Sequence, residues 1–281
     1  MRAASAHQGQ DRPVRSDPLA VRAVIVAIPS RNEQERIAAC VRSVRAAAQR
    51  VGDGVRVVIV VASDDSTDDT DIILESLADR HLVFWVRGVW RSAGGARRTA
   101  VAYGSSLIQS DRLSWANVWI ASTDADTTVP ESWLADQLRF ADVGYDAVAG
   151  LVDLTVDYDL SDELLAGFAA QYTVIGDSHD HVHGANLGVR GSAYWAADGF
   201  PHVDLAEDHA LWNELHRRKF RLVSPVDLRV STSARLVGRA AGGFADTCAE
   251  IFDYNVDALA KRAIALKAAF VAATVPEALA G

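Results

Sequence analysis

In its first half the chain switches between short solid apolar runs and longer segments with apolar residues three or four apart. Residues 21–29 (VRAVIVAIP) are β-branched, mostly apolar and stopped by proline, which predicts a buried strand. The next segment, SRNEQERIAACVRSVRAAA, places Ile37, Cys40, Val41, Val44 and Ala48 at helical spacing. Ser30 and Glu33 have the spacing of a capping box at its start. Residues 55–62 (VRVVIVVA) predict a second buried strand, SDDSTDDT a polar turn, and Ile72, Ile73 and Leu77 a short helix. Residues 81–86 (HLVFWV) predict a third strand, followed by a helix that opens on the glycines of SAGGARRTAVAYGSSLI. A fourth strand covers residues 117–122 (NVWIAS), and a helix is expected from near Pro130, a residue suited to the first helical position.

The second half keeps a looser rhythm. YDAVAGLVDLTV predicts one or two strands, and SDELLAGFAAQYTVI a helix with Ser161 as its cap. GDSHDHVHG is a polar loop, ANLGVR a short strand, and SAYWAADGF a short helix ending at Gly199. AEDHALWNELHRRKF is an amphipathic helix and FRLVSPVDLRV two short strands. STSARLVGRAAGG is a basic, glycine-rich loop, and residues 246–281 are Ala-rich and helical in pattern. No proline- or serine-rich linker and no repeat divides the chain, so one continuous domain is expected. Strands alternating with helices imply an α/β fold: a mostly parallel central sheet with helices on both faces. Ligands in such sheets bind beyond the carboxyl ends of the strands. The polar clusters at residues 30–33, 63–67 and 124–126 should therefore converge on one crevice.

Composition changes the picture little, but it excludes some classes. The 281 residues are 49% hydrophobic and 23% charged, with a net charge of −9. That gives ample material for a core and none of the basic excess of a nucleic-acid binder. Two cysteines, Cys40 and Cys248, make no disulfide framework, which points to a reducing, cytoplasmic compartment. No run of 18 apolar residues is present, so no transmembrane helix is expected. Residues 1–20 lack the apolar middle of a signal peptide and read as a disordered tail.

Four clusters carry candidate chemistry. Asp124 and Asp126 follow the fourth strand. They can cap a turn, or supply hard oxygen ligands for Mg2+ or Mn2+ bound with phosphates. Asp64 and Asp65 follow the second strand, either as an Asx turn or with one carboxylate accepting a base N–H. In AGGARRTAVAYG, Gly94 and Gly95 at a helix start let backbone N–H groups approach an anion, with Arg97 and Arg98 adding charge. It is not a P-loop, because the Lys-Ser/Thr ending is absent. Glu207 and Asp208 open a helix, where acidic residues are electrostatically favoured and where Asp208 can act as a general base.

The order of these clusters resembles that of the family 2 glycosyltransferases of the GT-A fold, from about Val24 to Arg239. VAIPSRNE is similar to the family's opening strand and Pro-x-x-Asn-Glu turn, which puts Pro29, Arg31 and Glu33 at the donor site. VVASDDSTDDT resembles its Asp-rich turn, with Asp64 in the base-binding position; Ser63 replaces the usual first aspartate and Asp65 the glycine. GGARRTAVAYG resembles the donor-site segment, with Arg97 or Arg98 as its arginine. DAD resembles the metal motif, with Asp126 the direct ligand and Asp124 at the donor. HGANLGVRGSAYWAADGF is similar to the acceptor-side segment through Gly184, Asn186 and Arg190. AEDHAL is similar to the motif that supplies the base, Asp208, with Glu207 toward the substrate.

The resemblance implies a nucleotide-sugar-binding half (residues 21–126), an acceptor-binding half (127–245) and a C-terminal helical segment (246–281). It implies transfer of a sugar from a nucleoside diphosphate sugar to an acceptor hydroxyl. The departing diphosphate gathers charge, which a divalent cation and cationic side chains would receive. One base and one displacement give inversion, unlike glycosidase chemistry with its paired carboxylates and water.

In HDHVHG, His179, His181 and His183 can face solvent or a ligand, and His183 is the candidate acceptor contact. Arg235 and Arg239, in RLVGRAAGGF, can close on a diphosphate as a lid or stand in an exposed turn. The Ala-rich C-terminus can pack on the core, pair two protomers or touch a membrane surface. Three other functions share parts of this pattern. A retaining enzyme of the same fold differs in the product anomer. A sugar-phosphate nucleotidyltransferase wants a Gly-rich basic loop after the first strand, where PSRNEQER has no glycine. A non-catalytic nucleotide-sugar binding module would not need both acidic motifs.

Overall fold

The structure, a computed structural model, describes residues 19–79, 81–155, 174–203 and 205–233. Most of the expected tail, the segment capped by Ser161, the loop with Arg235 and Arg239, Cys248 and the C-terminal helix lie outside these residues.

In chain order the elements are β1 (Ala23–Ser30), α1 (Ile37–Gln49), β2 (Arg56–Asp64), α2 (Thr70–Leu77), β3 (Val83–Gly88), α3 (Ala93–Ile108) and β4 (Val118–Ser122). There follow β5 (Thr127–Thr128), α4 (Trp133–Asp142), β6 (Ala147–Ala149), β7 (Leu151–Thr155), β8 (Val174–Ile175) and β9 (Ser178–His179). The last are β10 (Leu187–Arg190), α5 (Gly191–Ala196), α6 (Glu207–Arg217), β11 (Leu222–Val223) and β12 (Arg229–Ser233).

Seven strands form the main sheet in the order β11-β6-β10-β4-β1-β2-β3. Neighbours are parallel except at β10, which runs antiparallel to both β4 and β6. Parallel register sets Ser30 opposite Ser63, and Asp64 opposite Gly88. The polar turns after β1, β2 and β3 thus leave the sheet at one edge. Strand order reverses between β1 and β4, so the crevice expected of such sheets opens at their carboxyl ends. A smaller sheet, β5-β12-β7, stands beside it.

Strand side chains alternate in direction, and that alternation builds apolar clusters on both faces of the sheet. Val24, Val26 and Ile28 pack with Ile37, Cys40, Val41 and Val44 of α1 and with Trp133 and Leu134 of α4. Ala27 faces the other way, toward Ala96, Ala100 and Val101 of α3, Tyr194 of α5 and Leu211 and Leu215 of α6. Helices therefore cover both faces. Burying each large aliphatic side chain stabilises the fold by roughly 1.5–3 kcal/mol.

Several local expectations give way to pairing. Ser30 and Glu33 are not a capping box: α1 begins at Ile37, and its N-cap residue Arg36 makes no side-chain cap. β1 stays in register with β2 through Ser30, so the chain turns only afterwards, and the Glu33 N–H donates to Thr70 Oγ1 (2.7 Å). Pro130 does not start a helix, because Thr127 and Thr128 first pair with β12 and α4 opens at Trp133. Ile72 is 66% exposed, and Leu74 is the buried apolar residue of α2. Val174 and Ile175 are strand, paired with His179 and Ser178 of the expected polar loop. No helix among the described residues is long and apolar enough to cross a membrane.

Candidate active site

The turns after β1, β2 and β3 are stapled to one another. The backbone N–H of Asn32 donates to Ser66 Oγ (3.1 Å), and its Oδ1 accepts from the Thr67 N–H (2.7 Å). Asp64 is buried at the end of β2, where its Oδ1 accepts from the N–H groups of Trp90 (2.6 Å) and Arg91 (2.9 Å). Pro29 lies within β1 opposite Ala62; Arg31 is half-buried and Glu33 buried in the turn that follows.

α3 starts cleanly. Ser92 caps it by accepting from the Gly95 N–H (3.0 Å). Arg97 then points inward, buried, with its guanidinium between two carboxylates: Nη1 donates to Glu207 and Nη2 to Asp124. Its charge also lies 5.8 Å from the Phe200 ring centre. Two glycines make room for this arrangement. A Cβ on Gly184 would sit 2.5 Å from Arg97 Nη2, and one on Gly94 would sit 2.9 Å from Glu207 Cβ.

The two adjacent arginines have different tasks. Arg98 leaves the site and binds the turn before Phe200, donating to Phe200 O (3.2 Å) and Asp198 Oδ1 (3.1 Å).

The turn after β4 is half-buried at Asp124 and Asp126. Thr232 Oγ1, on β12, donates to Asp126 Oδ1 (3.3 Å). Beneath the turn, Cys40 Sγ lies 3.2 Å from Asp124 O. Burial, with the charges of Asp126 and Asp124 adding to it, pushes the thiol pKa up, so Cys40 stays protonated and donates.

α6 opens without a side-chain cap, from Ala206 in the left-handed region (φ 59°). Its first two residues diverge. Glu207 turns inward to Arg97, whereas Asp208 accepts from the Gly184 N–H through Oδ2 (2.6 Å) and from the His209 N–H through Oδ1 (2.7 Å). His183 precedes Gly184. Burial holds its imidazole down to about 4, against the opposing pull of Asp208. Its ring stacks on His181, with centres 5.8 Å apart and planes 22° apart. His179 is buried, its Nδ1 accepts from the His181 N–H (3.2 Å), and burial lowers its pKa as well.

Arg97, Asp124, Gly184, Glu207, Asp208 and His183 therefore come together. Besides Arg98, two acceptor-side candidates do not join them. Asn186 is buried and its amide is fully engaged: Oδ1 accepts from Trp133 Nε1 (2.9 Å), and Nδ2 donates to Leu151 O (2.9 Å) and Leu228 O (3.0 Å). Both Nδ2 protons are thus committed to the fold. Arg190 is buried at the opposite end of β10 and donates to Leu19 O, Ala116 O and Ala141 O. Thr232 and Cys40 were not legible as site residues. Thr232 is 106 positions from Asp126 in sequence and Cys40 is 84 from Asp124.

The donor set decides what kind of metal fits. Among the described residues no group of three or more His, Cys, Asp or Glu is placed to hold an ion. Asp126 offers a half-buried carboxylate, and one oxygen of Asp124 is committed to Arg97. A closed structural site is thereby ruled out among these residues. One or two carboxylates with the other positions left open suit Mg2+ or Mn2+ shared with substrate phosphates.

Residues 25–194 match the family described as "Glycosyl transferase family 2". No curated protein matches the chain. Among solved structures, TarS 1–349 of S. aureus in complex with UDP is 15% identical, with a TM-score of 0.53, over 77% of this chain and 61% of that one. The mannosyltransferase PcManGT of Pyrobaculum calidifontis, in complex with GDP-Man and Mn2+, is 20% identical, with a TM-score of 0.55, over 79% and 60%. The chain thus spans about three fifths of the length of each of these two.

Proposed function

The chain belongs to glycosyl transferase family 2, and we propose that it moves a sugar from a nucleoside diphosphate sugar to an acceptor hydroxyl in one inverting displacement. The observation that carries this reading is the placement of Asp208. Its carboxylate is fixed by the Gly184 N–H, next to the Arg97 bridge that reaches across to Asp124. A carboxylate close to the turn where the diphosphate would lie supports its reading as the base.

Each carboxylate takes a separate task. Asp64 has Oδ1 tied to the turn after β3, and Oδ2 accepts an N–H of the nucleotide base. Asp126 would hold Mg2+ or Mn2+, which supplies Lewis-acid stabilisation of the departing diphosphate's charge when bound. Asp208 takes the proton of the acceptor hydroxyl as that oxygen attacks the anomeric carbon. Arg31 lies on the donor side and His183 on the acceptor side. The UDP of the TarS structure, and the GDP-Man and Mn2+ of the mannosyltransferase, support a nucleotide-sugar donor and a divalent ion.

Calorimetry with UDP and GDP, with and without Mn2+, tests the donor half directly. One diphosphate should bind more tightly with Mn2+, and Asp126→Ala should remove that gain. Asp64→Ala should weaken the preferred diphosphate by about 1–3 kcal/mol, the cost of leaving a buried donor unpaired. Equal binding with and without Mn2+, together with full turnover in EDTA, would take the metal out of the proposal.

A further inference from the structure

Besides the His209 N–H within its own helix, the Asp208 carboxylate is supported through two neighbours that rest on one guanidinium. Asp208 follows Glu207 in the chain, and Glu207 is paired with Arg97 Nη1. Asp208 also accepts from the Gly184 N–H, and Gly184 lies directly against the same guanidinium, with no room between them for a Cβ. α6 has no side-chain cap of its own, so these two links set where its first turn begins.

The guanidinium, meanwhile, is closed off by burial rather than by full pairing: each Nη is held by one carboxylate, and the buried Nε has no partner among the described residues. It is 4% exposed, with one Nη on each carboxylate, Gly184 packed against it and the Phe200 ring nearby. A desolvated cation held between two anions is a costly pair to open.

We propose that Arg97 is the positioning residue of the site. It ties the Asp124 turn to the start of α6 and holds Asp208 from two sides, rather than contacting the donor diphosphate. The glycines at 94 and 184 follow from this role, because each clears space on one side of the Arg97–Glu207 pair. The positioning of Asp208 rests on its reading as the base; the geometric coupling of Arg97 to Gly184 does not.

Amide hydrogen exchange at Gly184 reads that coupling without any substrate. In full-length Arg97→Gln, Gly184 should exchange at least tenfold faster than in wild type, while Ile25 and Val60 in the sheet keep their protection. Arg97→Lys, which keeps the charge but not the two-pronged fork, should fall between the two. If Arg97→Gln also loses protection at Ile25, the fold has failed and the Arg97→Lys comparison decides. Affinity for UDP or GDP with Mn2+ should stay within about threefold of wild type in Arg97→Lys. Unchanged Gly184 exchange in Arg97→Lys overturns the proposal. So does a tenfold loss of diphosphate affinity with Gly184 protection intact, since Arg97 would then address the donor. Asp208→Asn, assayed in parallel with GDP-mannose and UDP-glucose, separates the two readings. Undiminished turnover there sinks the base assignment and leaves the Gly184 result standing.

Discussion

The strands β1 to β4 and the strands after them are held by different means. The first four share long parallel registers, eight residue pairs between β1 and β2, and bury almost nothing but apolar side chains along their length. Their polar residues sit at the ends, where the chain leaves the sheet. The later strands of the main sheet are short: three residues in β6, four in β10 and two in β11. There, buried polar side chains do the stapling. Asn186 binds Trp133, Leu151 and Leu228, and Arg190 reaches Leu19, Ala116 and Ala141. Where the backbone ladder is long, a buried polar residue at a strand end is available for chemistry. Where it is short, a polar residue is more often spent on the fold, since buried backbone groups need partners.

The largest effect should come from Asp208, whose carboxylate is held by backbone N–H groups of Gly184 and His209 rather than tying one strand to another. Asp208→Asn keeps the acceptor for the Gly184 N–H but removes the basic site. Turnover, followed as diphosphate release, should fall by about 10²–10⁴ while diphosphate binding survives. A near wild-type rate, or a product with retained anomeric configuration, would place Asp208 among the structural residues instead.

Asn186→Ala should come next, and its effect should be on stability rather than on chemistry. It strands the Trp133 N–H and takes one hydrogen bond from each of the carbonyls of Leu151 and Leu228; a buried group left unpaired costs roughly 1–3 kcal/mol. A denaturant midpoint clearly below wild type, with diphosphate affinity unchanged, is the expected result. Intact stability with weakened acceptor use would return Asn186 to the site.

Acidification should separate the regions more gently. His183 is held down to about 4 in the fold, whereas an unfolded imidazole titrates near 6.5. Between those values the unfolded chain binds more protons, so stability should fall as pH drops from about 6.5 to 4 and change no further on this account below. His179, also lowered, adds in the same direction. A melting curve against pH should show this slope, and His183→Gln should flatten it; an identical slope in the variant would assign it elsewhere.

The smallest effect belongs to the first region. Ser30 Oγ is buried with no hydrogen-bond partner among the described residues, so Ser30→Ala removes no bond described here. Stability should change by less than about 0.5 kcal/mol. A large loss in the same denaturant assay would mean that polar stapling extends into the parallel strands.

The sequence by itself determined the alternation of strands and helices, the parallel character of the first four strands and the exit of acidic turns at their carboxyl ends. These follow from side-chain periodicity and turn chemistry, both read within a few residues. Only the tertiary structure decided which residues of each motif face the site. Arg97 and Arg98 are neighbours on α3, about 100° apart around the helix, and sequence leaves them equivalent. The packing of α3 on β1 and β2 turns Arg97 toward Glu207, 110 positions away, and Arg98 toward Asp198. The same holds for Glu207 and Asp208, for the antiparallel β10, and for the capping box that strand pairing dissolved. Each depends on a contact between distant segments, whose energy is set by what the fold brings opposite and not by the residues on either side.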